Sequence, residues 1–116
     1  MAAYQDLYLD KGMDFTENIT LADDYGNPYN LSLFIVKAQG KISYYTSNVA
    51  LLFTSTISDA ANGVVTLSAN NAITSNVIPN NSGKLVYDVF IKDTISSKVT
   101  RVLEGQIFIS PAVSGF

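Results

Sequence analysis

The 116-residue chain has no cysteine, no histidine and no tryptophan. Without cysteine there is neither a disulfide nor a thiolate metal site, so burial and hydrogen bonding alone must hold the fold. Without histidine the commonest general base and neutral metal ligand are missing, which removes Ser-His-Asp hydrolysis and zinc-histidine chemistry. Positive charge is scarce as well. Lys11, Lys37, Lys41, Lys84, Lys92, Lys98 and Arg101 are the only cations, against ten acidic residues, for a net charge of −3. Scattered in this way they make no basic stripe for phosphates, so nucleic acid is not an expected partner. Long apolar runs are absent too: Leu33 to Val36 and Val49 to Phe53 fall far short of the roughly 18 residues of a membrane-crossing helix. No membrane role is expected. The start, Met1-Ala2-Ala3-Tyr4-Gln5-Asp6, lacks the charged and apolar segments of a secretory signal, so export by that route is not expected. The sequons at Asn18, Asn30 and Asn80 are therefore read as chance.

What is present is an ordered composition, 47% apolar with 15% charged and rich in tyrosine and phenylalanine, of a size that suits one domain. The whole chain, 1–116, is read as that domain, with 1–10 and 112–116 as extended arms. The apolar residues recur at every second position in short segments, which places strands along the chain. Met13, Phe15, Ile19 and Leu21 share one phase and Asp14, Thr16, Asn18 and Thr20 the other, so this strand has one buried and one wet face. Asp23-Asp24-Tyr25-Gly26-Asn27-Pro28 concentrates turn formers and reverses the chain. Leu31 to Ala38 alternates less cleanly and is assigned a central place covered partly on both faces. Gly40 to Asn48 reads as a loop or a ragged edge hairpin.

Leu51, Phe53 and Ile57 share a phase in a following strand, and Asn62-Gly63 marks a hairpin into Val64 to Leu67. Ser68 is a candidate cap for a short helical turn near Ala69–Ile73, and 74–83 is a loop by composition. Leu85, Tyr87, Val89 and Ile91 alternate through another strand that turns over Asp93 to Ser97. In the last strand Val99, Arg101, Leu103, Ile107 and Ile109 share a phase around Gly105, a residue that marks a bulge or a close backbone approach, and the register across it stays open. Pro111 ends this strand and Val113 to Phe116 is read as an extended tail. Seven or eight strands at intervals of roughly 8 to 12 residues predict an all-β, antiparallel, immunoglobulin-like β-sandwich.

Little in the chain supports catalysis. No lysine has a serine three residues before it, and Ser82-Gly83-Lys84-Leu85 lacks the upstream glycine and the hydroxyl residue of a phosphate-binding loop. Asp23-Asp24-Tyr25-Gly26-Asn27 lacks the alternating spacing and the distal glutamate of a calcium loop and reads better as a reverse turn. Asp88 and Glu104 are the one imaginable acid/base pair, but each lies close in sequence to a cation, Lys92 or Arg101, and surface ion pairing is the better reading. Catalytic, cofactor-binding and metal-binding residues are accordingly all expected to be none. Tyr44-Tyr45 is the candidate partner contact, tyrosine combining a large apolar area with a polar tip; the competing reading has these rings covering the edge of the core.

Four stretches together resemble the small β-sandwich modules of tailed-bacteriophage virion proteins, the kind at the N-termini of baseplate, tail-fibre or head-fibre polypeptides. They are Lys11-Gly12 with Phe15; Asp24-x-Gly26-Asn27-Pro28-x-Asn30-Leu31; Gly63-Val64-Val65-Thr66-Leu67-Ser68; and Tyr87-Asp88-Val89 followed by Val99-Thr100-Arg101-Val102-Leu103-Glu104-Gly105 and Ser110-Pro111-x-Val113. The resemblance implies a non-enzymatic virion structural protein, located in the virion, whose partners are other virion proteins and further copies of itself. A tail or baseplate adaptor or fibre module is the first expectation; a capsid decoration protein and a carbohydrate-binding sandwich are the alternatives. Two features depart from the multidomain pattern: the chain stops soon after Pro111, from which a stand-alone part is expected, and the Gly40 to Asn48 segment is longer than the pattern needs.

Overall fold

Alternation of apolar and polar residues puts one side of each strand in the core, and residues 3–23, 25–46, 48–79 and 82–111 are described in the computed structural model. In chain order the elements are β1 (Ala3–Tyr4), β2 (Leu7–Asp10), β3 (Phe15–Thr20), β4 (Phe34–Lys41), β5 (Leu51–Leu52), β6 (Thr54–Asp59), β7 (Val64–Ala69), α1 (Asn71–Ser75), β8 (Lys84–Asp93) and β9 (Val99–Ser110). One sheet runs β1-β9-β8-β4-β5 with β2 also on β9, and the other runs β3-β7-β6. All pairings are antiparallel except those of β1 and β2, which lie parallel to β9. The two sheets enclose one core, in which Leu67, Leu85 and Ile107 have no accessible surface. The fold is an all-β, mostly antiparallel β-sandwich with one short helix, as the strand spacing predicts.

The hairpin at Asn62-Gly63 joins β6 to β7 as expected. Gly63 has φ +71°, and a Cβ there would come within 2.7 Å of Leu21 O and 2.8 Å of Tyr29 O, so the turn admits only glycine. Asp23 closes the first reverse turn, its Oδ1 accepting from the N–H of Tyr25 and of Asn27; Asp24 lies outside the described residues. Asp93 does the same at the β8–β9 turn for Ile95 and Ser96. β4 lies between β8 and β5, the central place expected. The Gly40 to Asn48 segment is an edge hairpin, with Gln39 and Gly40 paired to Leu52 and Leu51; Ser47 lies outside the described residues.

Several expectations are corrected. Residues 3–10 are no arm: Leu7 and Leu9 are buried, because the parallel strands close the edge of the sheet over the sandwich core. The 112–116 arm lies outside the described residues. Leu51 to Ile57 is two strands rather than one, since the chain passes from one sheet to the other at the buried Phe53 without losing phase. In β4 the inward residues are Ala38 and Gly40, with Phe34 and Val36 half-buried, while Leu33 and Ile35 face solvent. Ser68 is in β7, opposite Thr54 and Thr16. The helix begins later, at Asn71, because the Asn70 side chain accepts from the Ile73 N–H. Thr74, expected in a loop, is in this helix and fully buried; its hydroxyl donates to Met13 O at 2.7 Å and accepts from Gly12 N at 3.2 Å.

Register across Gly105 is now settled. The bulge lies upstream of it: Val89 faces Leu103 and Phe90 faces Arg101, so Val102 is the extra residue. Val102 and Leu103 are both buried for this reason. Gly105 marks the close approach instead. A Cβ on it would sit 2.0 Å from Gln5 O, the carbonyl that also accepts the Tyr87 hydroxyl at 2.5 Å. Between β1 and β2, Gln5 N donates to Glu104 O at 3.0 Å and the Asp6 carboxylate accepts from Gln106 N at 3.3 Å, so the edge strand stays tied down across its break.

Gly105→Ala should destabilise the domain by about 2 kcal/mol or more, the range of core overpacking, and raise hydrogen exchange selectively over residues 3–10. Tyr87→Phe leaves the Gln5 carbonyl unpaired and should cost about 1–3 kcal/mol. Burial pushes the Tyr87 hydroxyl well above the ordinary 10.0, with the Asp6 charge acting in the same sense. The folded state therefore holds that proton longer than the unfolded state does. Its contribution is complete below pH 10 and lost as pH climbs beyond. Urea titrations should show the wild type losing stability above pH 10 more steeply than Tyr87→Phe.

Candidate functional site

Because Leu85, Tyr87, Val89 and Ile91 point into the core, the intervening Val86, Asp88, Phe90 and Lys92 project from the other side of the six-stranded sheet. The bulge at Val102 decides what meets them from β9. Glu104 is opposite Asp88, and Arg101 is opposite Phe90. From β4 come Gln39, opposite Asp88, Lys37, opposite Phe90, and Lys41, opposite Val86.

Arg101 organises this face. Its Nη1 donates to Glu104 Oε2 at 3.0 Å, its Nε lies 3.6 Å from Asp88 Oδ2, and its guanidinium carbon stands 5.6 Å from the centre of the Phe90 ring. The structure therefore brings Asp88 and Glu104 together as cross-strand neighbours, bridged by one cation. Partial burial pushes the Asp88 carboxyl up; Arg101 and Lys41 act against this, and Glu104 adds to it. Chemically, the cluster holds a guanidinium in a fixed pose over an aromatic ring, with its charge shared between two carboxylates. Lys92, the cation expected beside Asp88, instead lies opposite Val99 and Ile35, and Arg101 takes that role.

Tyr44 and Tyr45 stand on the loop between β4 and β5, where the Ser43 hydroxyl accepts from the Tyr45 N–H at 3.1 Å. Tyr45 is 98% exposed and Tyr44 56% exposed, so both rings are largely open to solvent. Tyr44 borders a shallow depression of about 280 Å³ with Gln39, Lys41, Asp88, Phe90 and Arg101. Phe90 also borders a second depression, with Ile35 and Val99, both of which are more than half exposed. The two hollows thus share Phe90 as a common wall. At the far end of the sheet Tyr8 stacks on Phe108, ring centres 5.3 Å apart, with the Lys84 ammonium 5.0 Å from Phe108.

Sequence reasoning selected Tyr44 and Tyr45 and missed Phe90, Arg101, Gln39 and Lys41 as the companions of Tyr44. The outward phase of β8 carries that signal. It was usable for Phe90 and Asp88 but not for Arg101, whose phase changes at the bulge. The Asp23 carboxylate is taken up by two backbone N–H groups of its own turn, and Asp24 is outside the described residues.

Arg101→Ala should lower stability at neutral pH by about 1 kcal/mol or less, since the pairs are partly exposed and two carboxylates are left facing each other. For Asp88 the raised carboxyl pKa means that the folded state retains the proton further up the acid range than the unfolded state. Stability from this group falls as pH rises through that window. Asp88→Asn removes the dependence, so its stability relative to wild type should improve from pH 3 to pH 7, as measured by urea unfolding at both values.

Comparison with models of known protein families matches none of them, and no curated protein aligns with the chain.

Proposed function

We propose that this protein is a structural docking module of a bacteriophage particle, a tail, baseplate or fibre adaptor that works by protein–protein contact. The observation that carries the reading is the group of exposed apolar and aromatic residues around two hollows that share Phe90, with Ile35 and Val99 at one and Tyr44 at the other, and the exposed Tyr45 next to Tyr44 in the loop. Clustered apolar and aromatic exposure of this kind is characteristic of interaction sites. Tyrosine, phenylalanine and an arginine already oriented by Glu104 supply contact area at low entropic cost. The place in a phage particle rests on the turn and strand pieces that resemble virion modules.

The test is complementation of particles made without the protein. Wild-type chain should be incorporated in a fixed copy number and be visible at one location when the particles are imaged. A chain carrying Tyr44→Ala and Tyr45→Ala should keep its melting temperature, both rings being exposed, yet lose at least about 2 kcal/mol of binding and drop out of the particles. Absence of the wild-type chain from purified particles would sink the reading.

A further inference from the structure

A sheet edge with unpaired main-chain groups invites another strand unless charge, proline, brevity or a bulge protects it. The edges of this sandwich are managed unequally. β5 has two residues, β1 and β2 are interrupted at Gln5 and Asp6, and β6 shifts register between Ile57 and Asp59. β3 has no break, register shift or proline, and its one charge is Glu17, half-buried on the core side. Its six residues, Phe15-Thr16-Glu17-Asn18-Ile19-Thr20, pair with β7 without irregularity and include neither lysine nor proline.

The ladder fixes which of its groups are open. Leu21 N donates to Gly63 O at 2.8 Å, continuing the register in which Ile19 faces Val65 and Glu17 faces Leu67. In an antiparallel ladder alternate residues turn their N–H and C=O to the same neighbour. Phe15, Glu17 and Ile19 thus serve β7, and Thr16, Asn18 and Thr20 present theirs to the open edge. All three are exposed.

We infer that β3 is a self-association edge, pairing antiparallel with β3 of a second copy about a two-fold axis at Asn18. This alignment puts Asn18 opposite Asn18 of the second copy and Thr16 opposite Thr20, so the open residues become the hydrogen-bonded pairs and exchange about six N–H···O bonds. It places Glu17 opposite Ile19 on the inner side. A two-residue slip that sets Glu17 against Glu17 keeps only two of the three hydrogen-bonded pairs and adds a like-charge pair, which disfavours it. The opposite slip, which sets Ile19 against Ile19, likewise keeps two of the three pairs and moves Thr16 opposite Ala22, outside β3. Pairing β3 with β6 of another copy would be head-to-tail and unclosed, and the β6 bulge opposes it. The result is a closed dimer with a continuous β6-β7-β3-β3-β7-β6 sheet. This edge belongs to the three-stranded sheet, so the inference stands apart from the docking surface on the six-stranded one.

Sedimentation of the full chain over a concentration series is the test. Wild type should pass from monomer to dimer, with amide protection at Thr16, Asn18 and Thr20 rising in step. Asn18→Lys sets two cations face to face at the axis and should weaken association about tenfold or more. Asn18→Glu should do the same, and mixing the two variants should restore a heterodimer. Asn18→Pro removes an outward N–H and the exposed Thr66–Asn18 side-chain bond but no β3–β7 ladder bond, so it controls for folding: it should retain the monomer's cooperative unfolding transition and fail to dimerise. A wild type that stays monomeric throughout overturns the inference, as does a dimer indifferent to all three substitutions or a monomer already protected at these amides.

Discussion

The closing of the first strand over Gly105 is the constraint on which the six-stranded sheet depends. The Gln5 carbonyl occupies the place a side chain would take on Gly105 and accepts the hydroxyl of the buried Tyr87. An unpaired polar group in that place would be costly, so the tyrosine and the N-terminal strand need one another. With the strand held there, Leu7 and Leu9 seal the margin of the core beside Ile107 and Ile109. The arrangement also commits the N-terminal segment to the six-stranded sheet. β3 is consequently the last strand of its own sheet.

A second constraint, the extra residue at Val102, acts on the opposite surface. It turns both Val102 and Leu103 into the core and shifts the phase of everything before them. Arg101 is thereby set opposite Phe90, within reach of Asp88 and Glu104. The bridge itself contributes little to stability, because its members remain partly in water. Its consequence is order: a long cationic side chain is held in one pose between an acidic pair and an aromatic ring, next to the Tyr44 loop. Preorganised side chains of this sort lower the entropy that a binding partner must overcome.

The two sheets differ in surface chemistry. The outward residues of β3, β6 and β7 are mostly threonine, serine and asparagine, with Thr66 donating to Asn18 Oδ1 at 2.7 Å. The outward residues of the six-stranded sheet include Lys37, Lys41, Lys84, Lys92 and Arg101, five of the seven cations of the chain. The first surface offers main-chain edges and small hydroxyls, suited to sheet extension. The second offers aromatics and charge, suited to side-chain recognition.

Much of this was legible in the chain alone. Period-two alternation determined the strands of β3 and β8 and the buried face of each, since side chains of a strand must alternate between faces, although Met13, expected on the buried face, precedes β3 and is exposed. Asn62-Gly63 and Asp93 to Ser97 determined reversals, because glycine and aspartate satisfy turn geometry locally. The absence of cysteine and histidine determined which chemistries lack their usual groups. Tyr44 and Tyr45 stood out by type, but their exposure did not. Tertiary structure alone decided the rest: the parallel docking of residues 3–10 on β9, the change of sheet at Phe53, the bulge at Val102, and the meeting of Asp88, Glu104 and Arg101. Each depends on which strand lies beside which, a long-range pairing that local periodicity does not encode.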